Sequence, residues 1–473
     1  ITMEEKVLEI INEIRAVKGL ELLQEIHEGD NLRDDLGLTS FDLAELTVKI
    51  EDAFDIDIFE DGLVNTVSEE VMAMFLYDRE REYSYAMLLE EIQLHKEYYP
   101  YHKADTLFAF FANLVKAIAT NQPLVLLDSD LSISEMSGID PMLINKPVAL
   151  PKYSFKHIDE LITAMQKSAS TITIFTSGTT GQPKQVVHSI DTLTRSVRTG
   201  DKYRNQMWGY AYNPTHMAGL QVFFQAFENK NTLVDVFNDS RKEVYRKIAE
   251  YGITHISATP TFYRLLLPVE KEYPSVVRVT LGGEKSDTHL HEEIHKIFPQ
   301  AKINNVYAST EAGTLFAAKG EYFQIPERNR SLFRVVDDEL LIHRSLLGQS
   351  NSFAFDGDYY HSGDLIEWVD EAAGLFKFKS RKNELINVGG YKVNPQEVEE
   401  VINSIQGVRQ SLVYGKANAI LGNVLCAELQ LDEGAQLTEL DVRQQLQSRL
   451  QDFKIPRRIK FVEAFSLTRT GKL

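Results

Sequence analysis

Apolar positions recur at helical spacing near the start of the chain: Val7, Leu8, Ile11 and Ile14 within residues 3–16, then Leu43, Leu46, Ile50 and Phe54 within residues 41–54. A long connection holding Gly29, Asn31 and Gly37 separates the two, and a last short helix is expected after Thr66. The stretch therefore predicts a small all-α bundle. Beyond a charged run from Asp78 to Glu82, read as a separator, the pattern changes: short apolar runs at Leu124–Leu127, Ile172–Phe175 and Thr232–Val236 alternate with helical stretches. That alternation predicts an α/β body. Near Ser380 it changes again, to a patterned stretch at Val393–Ile402, a short run at Ser411–Tyr414, a strand at Val424–Leu431 and a helix at Glu439–Leu450. A small α+β domain is expected there.

A chain of 473 residues exceeds what one hydrophobic core usually supports, which agrees with several domains. No apolar run approaches bilayer length, so no membrane span is expected, and the first residues lack the basic flank and apolar run of a secretory signal. Cys426 is the sole cysteine, which excludes an intrachain disulfide and a thiolate metal cluster; a cytoplasmic home is the expectation. Charge divides unevenly. Up to Leu76 there are 20 acidic and 5 basic residues, so most of the overall net charge of −19 sits in the first module. Such a module would repel phosphates, which argues against nucleic acid as partner and for docking on basic surfaces.

The sharpest chemical signal is Thr176-Ser177-Gly178-Thr179-Thr180-Gly181-Gln182-Pro183-Lys184, directly after an apolar run. Its glycines let backbone approach an anion, its hydroxyls add donors and Lys184 adds positive charge, a combination suited to the polyphosphate of ATP. The spacing is not that of a Walker loop. The segment resembles the signature of the acyl-adenylate-forming (ANL) superfamily, and further segments similar to that family follow in the same order to the end of the chain. In Asn305-Val-Tyr-Ala-Ser-Thr-Glu311 the resemblance implies Tyr307 packed on adenine, Thr310 at the phosphate and Glu311 on Mg2+. Gly282, Gly283 and Glu284 resemble the turn bordering the adenine pocket, and Asp364 and Arg381 the pair that holds the ribose. Asn383 matches the hinge between two subdomains, although family members commonly carry Asp or Lys there, and a lysine where this chain has Asn387. Gly389 and Gly390 resemble the loop lining the thiol tunnel. Leu467-Thr-Arg-Thr-Gly-Lys472 resembles the loop whose lysine stabilises charge as a carboxylate attacks the α-phosphate.

The first module has its own resemblance. Asp34-Asp-Leu-Gly-Leu-Thr-Ser40-Phe-Asp-Leu-Ala-Glu45 is similar to the attachment site of acyl carrier proteins, which implies a four-helix bundle and 4'-phosphopantetheine on Ser40, with Thr39 where most carriers have Asp. Read without the family, Ser40 is a good N-cap for the following helix. The resemblances place a carrier at residues 1–77, a large α/β adenylation subdomain at 78–382 and a small α+β C-terminal subdomain at 383–473.

For the acid, Asn213-Pro-Thr-His216-Met-Ala-Gly219 resembles the His-containing pattern of acyl- and aryl-acid ligases; a buried ammonium without a counterion would be costly, which disfavours an α-amino acid. Phe223 and Phe224 read either as an apolar pocket or as helix core. The expected activity is ATP-dependent formation of an acyl adenylate, then of a thioester on the chain's own carrier arm. Expected partners are ATP, Mg2+, a carboxylic acid, a phosphopantetheinyl transferase and a downstream acyl-accepting enzyme. The rivals are a ligase loading free CoA or a separate carrier, and a nucleotide-binding scaffold without turnover.

Overall fold

The computed structural model describes residues 3–27, 30–32, 35–39, 42, 45–46, 49–50, 53, 73–79, 81–128, 138–175, 184–284, 286–318, 322–388, 391–418 and 422–465. The chain divides into two compact units, one of residues 1–208 with 220–235 and one of residues 209–219 with 236–473.

In the first unit the expected opening helix runs Met3–Val17. Its face of Val7, Ile10, Ile11 and Ile14 is buried, as are Leu32, Leu36, Leu38, Leu46 and Ile50. The side chain of Asn12 closes the connection by bonding both backbone groups of Leu23, at 2.8 and 2.9 Å. Residues 42, 45, 46, 49, 50 and 53 are helical, as the second apolar pattern predicts. The expected helix after Thr66, and with it the count of four, lies outside the described residues.

The charged run from Asp78 to Glu82 is not a separator. It carries the turn of a hairpin between Met74–Asp78 and Arg81–Ser84, and the first of these strands also pairs in parallel with Thr232–Asp235, Leu76 opposite Leu233. Charge marks this turn because a hairpin tip faces water, a position that sequence alone does not distinguish from a linker. Behind the hairpin, Ser84 caps the helix Tyr85–Leu94 and Thr106 caps Leu107–Ala119. The latter is buried at every position from Phe110 to Ala119; it is apolar except for Asn113, which bonds both backbone groups of Tyr99, and Lys116, which lies 3.7 Å from Glu91. Phe223 and Phe224 prove to be helix core: both are fully buried on Met217–Phe227, and the ring of Phe223 stacks on Phe111 at 4.5 Å.

A smaller sheet in the same unit pairs Tyr101–His102, Leu124–Leu126 and Thr171–Phe175 in parallel, then Gln185–Ser189 antiparallel to the last. The glycine- and hydroxyl-rich segment thus joins two neighbouring strands, with Phe175 opposite Gln185. Residues 176–183 themselves are outside the described set.

The second unit contains three layers of structure. Strands His255–Ala258, Arg278–Gly282 and Lys302–Ser309 run parallel, and Gly313–Ala318 returns antiparallel. A second sheet is antiparallel, built on Phe333–Val336, Glu339–His343, Tyr359–Asp370 and Leu375–Arg381. The C-terminal α+β region follows, with Val408–Asn418, Gly422–Leu431 and Arg458–Phe461 as its main strands and Pro395–Asn403 and Glu439–Gln447 as helices. It has its own core, including Val398, Ile402, Leu425, Leu429, Val442 and Leu446. Among the described residues no helix is long and apolar enough to cross a membrane.

Phe111 sits at the centre of the aromatic cluster, touching Phe75, Phe110 and Phe223. Phe111→Ala should destabilise the first unit by about 3–5 kcal/mol. Urea titration of the full chain checks this, and a loss below about 1 kcal/mol would mean that the ring is not a packing centre.

Candidate nucleotide site

Parallel strands deliver their next residues to one edge, and in open α/β sheets that carboxyl edge is where ligands bind. Here the edge of the second unit receives Thr259–Thr261 after His255–Ala258, Gly283–Glu284 after Arg278–Gly282, and Thr310–Glu311 after Lys302–Ser309. Glu284 is fixed, its Oε2 accepting the backbone N–H of Thr261 at 3.0 Å and the Thr261 hydroxyl at 2.8 Å. Thr310 and Glu311 do not start a helix. They form the turn of the hairpin leading into Gly313–Ala318, where the carbonyl of Glu311 accepts the Gly348 N–H at 2.8 Å.

The antiparallel sheet supplies the rest. Asp364 lies directly opposite Arg381 in the ladder, and its Oδ1 is 3.2 Å from the Arg381 Nε. The Tyr307 hydroxyl donates to the other oxygen, Oδ2. Burial, reinforced by the Asp364 charge, holds the Tyr307 phenol well above its ordinary pKa, so it remains a donor. The Asp364 charge likewise raises the Arg381 guanidinium. The result is an oriented carboxylate with two acceptor oxygens, good chemistry for a vicinal diol.

Tyr307, Gly283, Glu284, Asp364 and Arg381 line one cavity of about 810 Å3, within the size range of small-molecule sites. It also reaches C-terminal residues from Glu384 to Gly415. Of the other expected site residues in this unit, Gly282 ends the strand beside the cavity, while Thr310, Glu311 and His216 do not line it. Glu311 is near enough for its charge to be felt by Arg381 and Tyr360. His216 precedes the helix Met217–Phe227, in a turn where the Asn213 side chain accepts from Thr215 N–H and hydroxyl at 3.0 and 2.9 Å. Asn383 is exposed in a single turn, Lys382–Glu384, directly after Arg381. In the first unit, Lys184 is exposed beside Gln185–Ser189. Ser40, residues 176–181, Gly389, Gly390 and Lys472 lie outside the described residues.

The groups expected at these sites can be tested against the residues present. A hard divalent cation bridging phosphates needs only one or two protein carboxylates, which Glu311 alone satisfies; among the described residues no cluster of three or more metal-ligating side chains occurs. In the first module Thr39 Oγ1 accepts from Asp42 N–H at 3.4 Å, while Asp42 Oδ2 accepts the Thr39 N–H at 2.5 Å and hydroxyl at 2.7 Å; the cap expected of Ser40 lies outside the described residues.

Residues that the sequence did not reveal also gather here. Arg264 pairs with Asp287 at 3.0 Å, and Glu399, on Pro395–Asn403, lines the same cavity and accepts the Val413 N–H at 2.7 Å. Nothing in the local pattern separates Glu399 from the other acids of its helix, Glu397 and Glu400.

Comparison with known proteins agrees with this geometry. The family model for AMP-binding enzymes matches residues 117–334, and that for the AMP-binding enzyme C-terminal domain matches residues 397–472. The chain belongs to the AMP-binding enzymes. A phosphopantetheine attachment site model matches residues 5–69, so a carrier region is fused ahead of the adenylation domain and its C-terminal subdomain. Relatives include a 2-succinylbenzoate–CoA ligase of Staphylococcus epidermidis, 24% identical over 72% of this chain and 78% of that one. A plipastatin synthase polypeptide of Bacillus subtilis is 27% identical over 63% of this chain, a match spanning only 9% of that much longer protein. ATP-bound MatB from Rhodopseudomonas palustris shares the fold, with a TM-score of 0.64 at 17% identity over 85% of this chain and 94% of that one. The family is that of AMP-forming acid–thiol ligases of the acyl-CoA synthetase kind.

Burial pushes the Glu399 carboxyl up to about 7, and the neighbouring charges of Glu284 and Glu384 add to this against the opposing Val413 N–H and Arg264. Between its ordinary value of 4.5 and about 7 the native carboxyl keeps a proton that the unfolded one has released. Its contribution to stability is therefore present at low pH and lost as pH rises through that interval. Glu399→Gln should flatten this part of the melting-temperature profile and raise the melting temperature near pH 8. Calorimetry of both proteins across the interval checks it, and parallel profiles would show that Glu399 ionises normally.

Proposed function

We propose that the protein joins a carboxylic acid to ATP, forming an acyl adenylate and pyrophosphate, and then transfers the acyl group to a thiol on its own carrier domain. The observation that carries this reading is the single cavity lined by Tyr307, Gly283, Glu284, Asp364 and Arg381 at the carboxyl edge of the parallel strands. Tyr307 and the Gly282–Glu284 turn flank adenine, and Asp364 with Arg381 holds the ribose. Thr310, with Thr176–Gly181 and Lys184, attends the phosphates. Glu311 would hold Mg2+, which offsets phosphate charge. In the first step a carboxylate oxygen attacks the α-phosphorus, the bond to the bridging oxygen of the β-phosphate breaks, and pyrophosphate leaves. Lys472 stabilises the charge developing between the two anions. When attached to Ser40, 4'-phosphopantetheine would supply the accepting thiol; the acyl–phosphate bond of the adenylate breaks in this second step and AMP leaves. Gly389 and Gly390 leave room for so narrow an arm, and Asn383 is the residue about which the C-terminal subdomain turns between steps.

Within the second unit's stretch Tyr210–Gly219, which carries His216, there is no Asp or Glu to pair with a substrate ammonium, so an acyl or aryl acid is the better fit than an α-amino acid. We place a four-helix carrier before the strand Met74–Asp78, the large subdomain from that strand to Lys382, and the small subdomain from Asn383 onward, with a phosphopantetheinyl transferase and a downstream acyl acceptor as partners.

Lys472→Ala should reduce acid-dependent pyrophosphate exchange by about a hundredfold or more while largely sparing thioester formation from preformed acyl adenylate. Exchange at the wild-type rate would remove the lysine from this role. Self-loading is tested by intact-mass measurement of the phosphopantetheinylated protein given ATP and a panel of acids. A mass increase equal to one acyl group, absent from Ser40→Ala, is expected; free acyl-CoA formed only when CoA is added, with no protein adduct, would favour a CoA ligase.

A further inference from the structure

A carboxylate with no place in the mechanism above reaches the strand segment that leads into Asp364. Glu339 opens the strand Glu339–His343 and is 5% exposed. It follows Asp337 and Asp338, both in left-handed conformation, the two central positions of a tight hairpin turn from Phe333–Val336. From there its side chain reaches a different strand. Oε1 accepts the N–H of Gly363 at 2.9 Å, and Oε2 lies 3.1 Å from His361 Nδ1 and 3.3 Å from Lys382 Nζ. The next residue continues the pattern, since the Leu340 carbonyl accepts the Ser362 hydroxyl, whose oxygen accepts the Asp364 N–H at 3.0 Å. Gly363, at φ +74°, is the left-handed residue of an irregularity within the strand Tyr359–Asp370, where the pairing shifts between Glu339–Leu365 and Leu341–His361.

A strand pairing as such does not require a buried carboxylate. Taking one out of water is costly unless donors compensate it, and those around Glu339 come from His361, Gly363 and Lys382. Burial works to raise its pKa, yet these donors outweigh burial and hold it below the ordinary value, so it stays ionised. Every one of those partners brackets Asp364 or adjoins Arg381, the residues assigned to the ribose. Glu339 fixes where the Ser362–Gly363 backbone lies, and Ser362 fixes the backbone N–H of Asp364.

We infer that Glu339 is a positioning residue for nucleotide binding: through Gly363, with Ser362 tied beside it, it sets the Asp364 carboxylate in the geometry that grips the two ribose hydroxyls. The inference rests on the assignment of Asp364 to the ribose.

The test is calorimetric binding of ATP and of 3'-deoxy-ATP to the full chain. Wild type should prefer ATP by about tenfold, the size of a hydrogen bond to a charged group. Glu339→Ala should lose that preference to within about twofold, and Glu339→Gln, which retains an acceptor for the Gly363 N–H, should recover most of it. A merely structural role would weaken both nucleotides equally. A folded Glu339→Ala protein that keeps the wild-type ratio overturns the inference. If this variant does not fold, Glu339→Asp makes the same test, because its shorter side chain withdraws the acceptor from Gly363. Equal binding of the two nucleotides by wild type, unaltered in Asp364→Asn, would instead remove Asp364 from the ribose and take this inference with it.

Discussion

The buried carboxylate of Asp364 sets the terms for the second unit. A charge with about 6% of its side chain exposed must be met by donors or it would shed its ionisation. Its partners come from distant parts of the chain: Tyr307, 57 residues upstream near the end of a parallel strand, donates to Oδ2, and Arg381, across the antiparallel ladder, forms an ion pair with Oδ1. Satisfying one side chain therefore fixes two sheets relative to each other at the place where their ends meet. The Tyr307 phenol is held protonated and Arg381 held charged, so a donor and a cation face the carboxylate. Such preset dipoles do not have to reorganise when a ligand arrives.

The C-terminal region is bonded to this frame in a different manner. Its interior is apolar and self-contained, with Val398, Leu425 and Val442 among the fully buried residues. A link to the preceding strand is polar: Asn394 Nδ2 donates to the Lys379 carbonyl at 2.8 Å. Water can replace such bonds at little net cost, whereas exposing a hydrophobic core costs about 25 cal/mol per Å2. Glu399 pushes in the same direction, since an ionised carboxyl facing Glu284 and Glu384 weakens the closed arrangement. A region with its own apolar core thus meets the preceding strand through a polar bond.

The fold was legible wherever the periodicity was local. Val7 to Ile14, the run at Thr171–Phe175 and the alternation in Gly422–Leu431 carry their structure in their own spacing. Local signals misled where one pattern serves two structures: the charges at Asp78–Glu82 mark a hairpin tip as well as they would a linker, and Phe223 and Phe224 look the same in a core as in a pocket. At the site, ordered motifs identified Tyr307, Asp364 and Arg381 but not their supports. Thr261 acts on Glu284 from 23 residues away, and Glu339 on Gly363 from 24. In sequence Glu339 is one more acid after Asp337 and Asp338, and only the register of the hairpin turns it inward.

The charge of the first module gains meaning from what its basic residues do. Lys6 meets Glu9 at 2.7 Å and Lys49 meets Glu13 at 2.8 Å; Lys18 pairs with Asp42, and Arg15 bonds the carbonyls of Glu21 and Leu36. Among the described residues of this module every lysine and arginine is thus engaged within it. With 20 acidic residues against 5 basic up to Leu76, the module keeps a net negative charge whatever pairs it forms. Salt screens the field of such a charge over about 10 Å, a range that aligns a partner at close approach rather than drawing it from afar. A covalent linkage supplies the nearness that electrostatics then only has to orient, because tethering replaces free encounter with a local effective concentration. Fusion and acidity are in this sense complementary: a tether limits how far the carrier region can travel, and a surplus of acids favours basic over acidic surfaces.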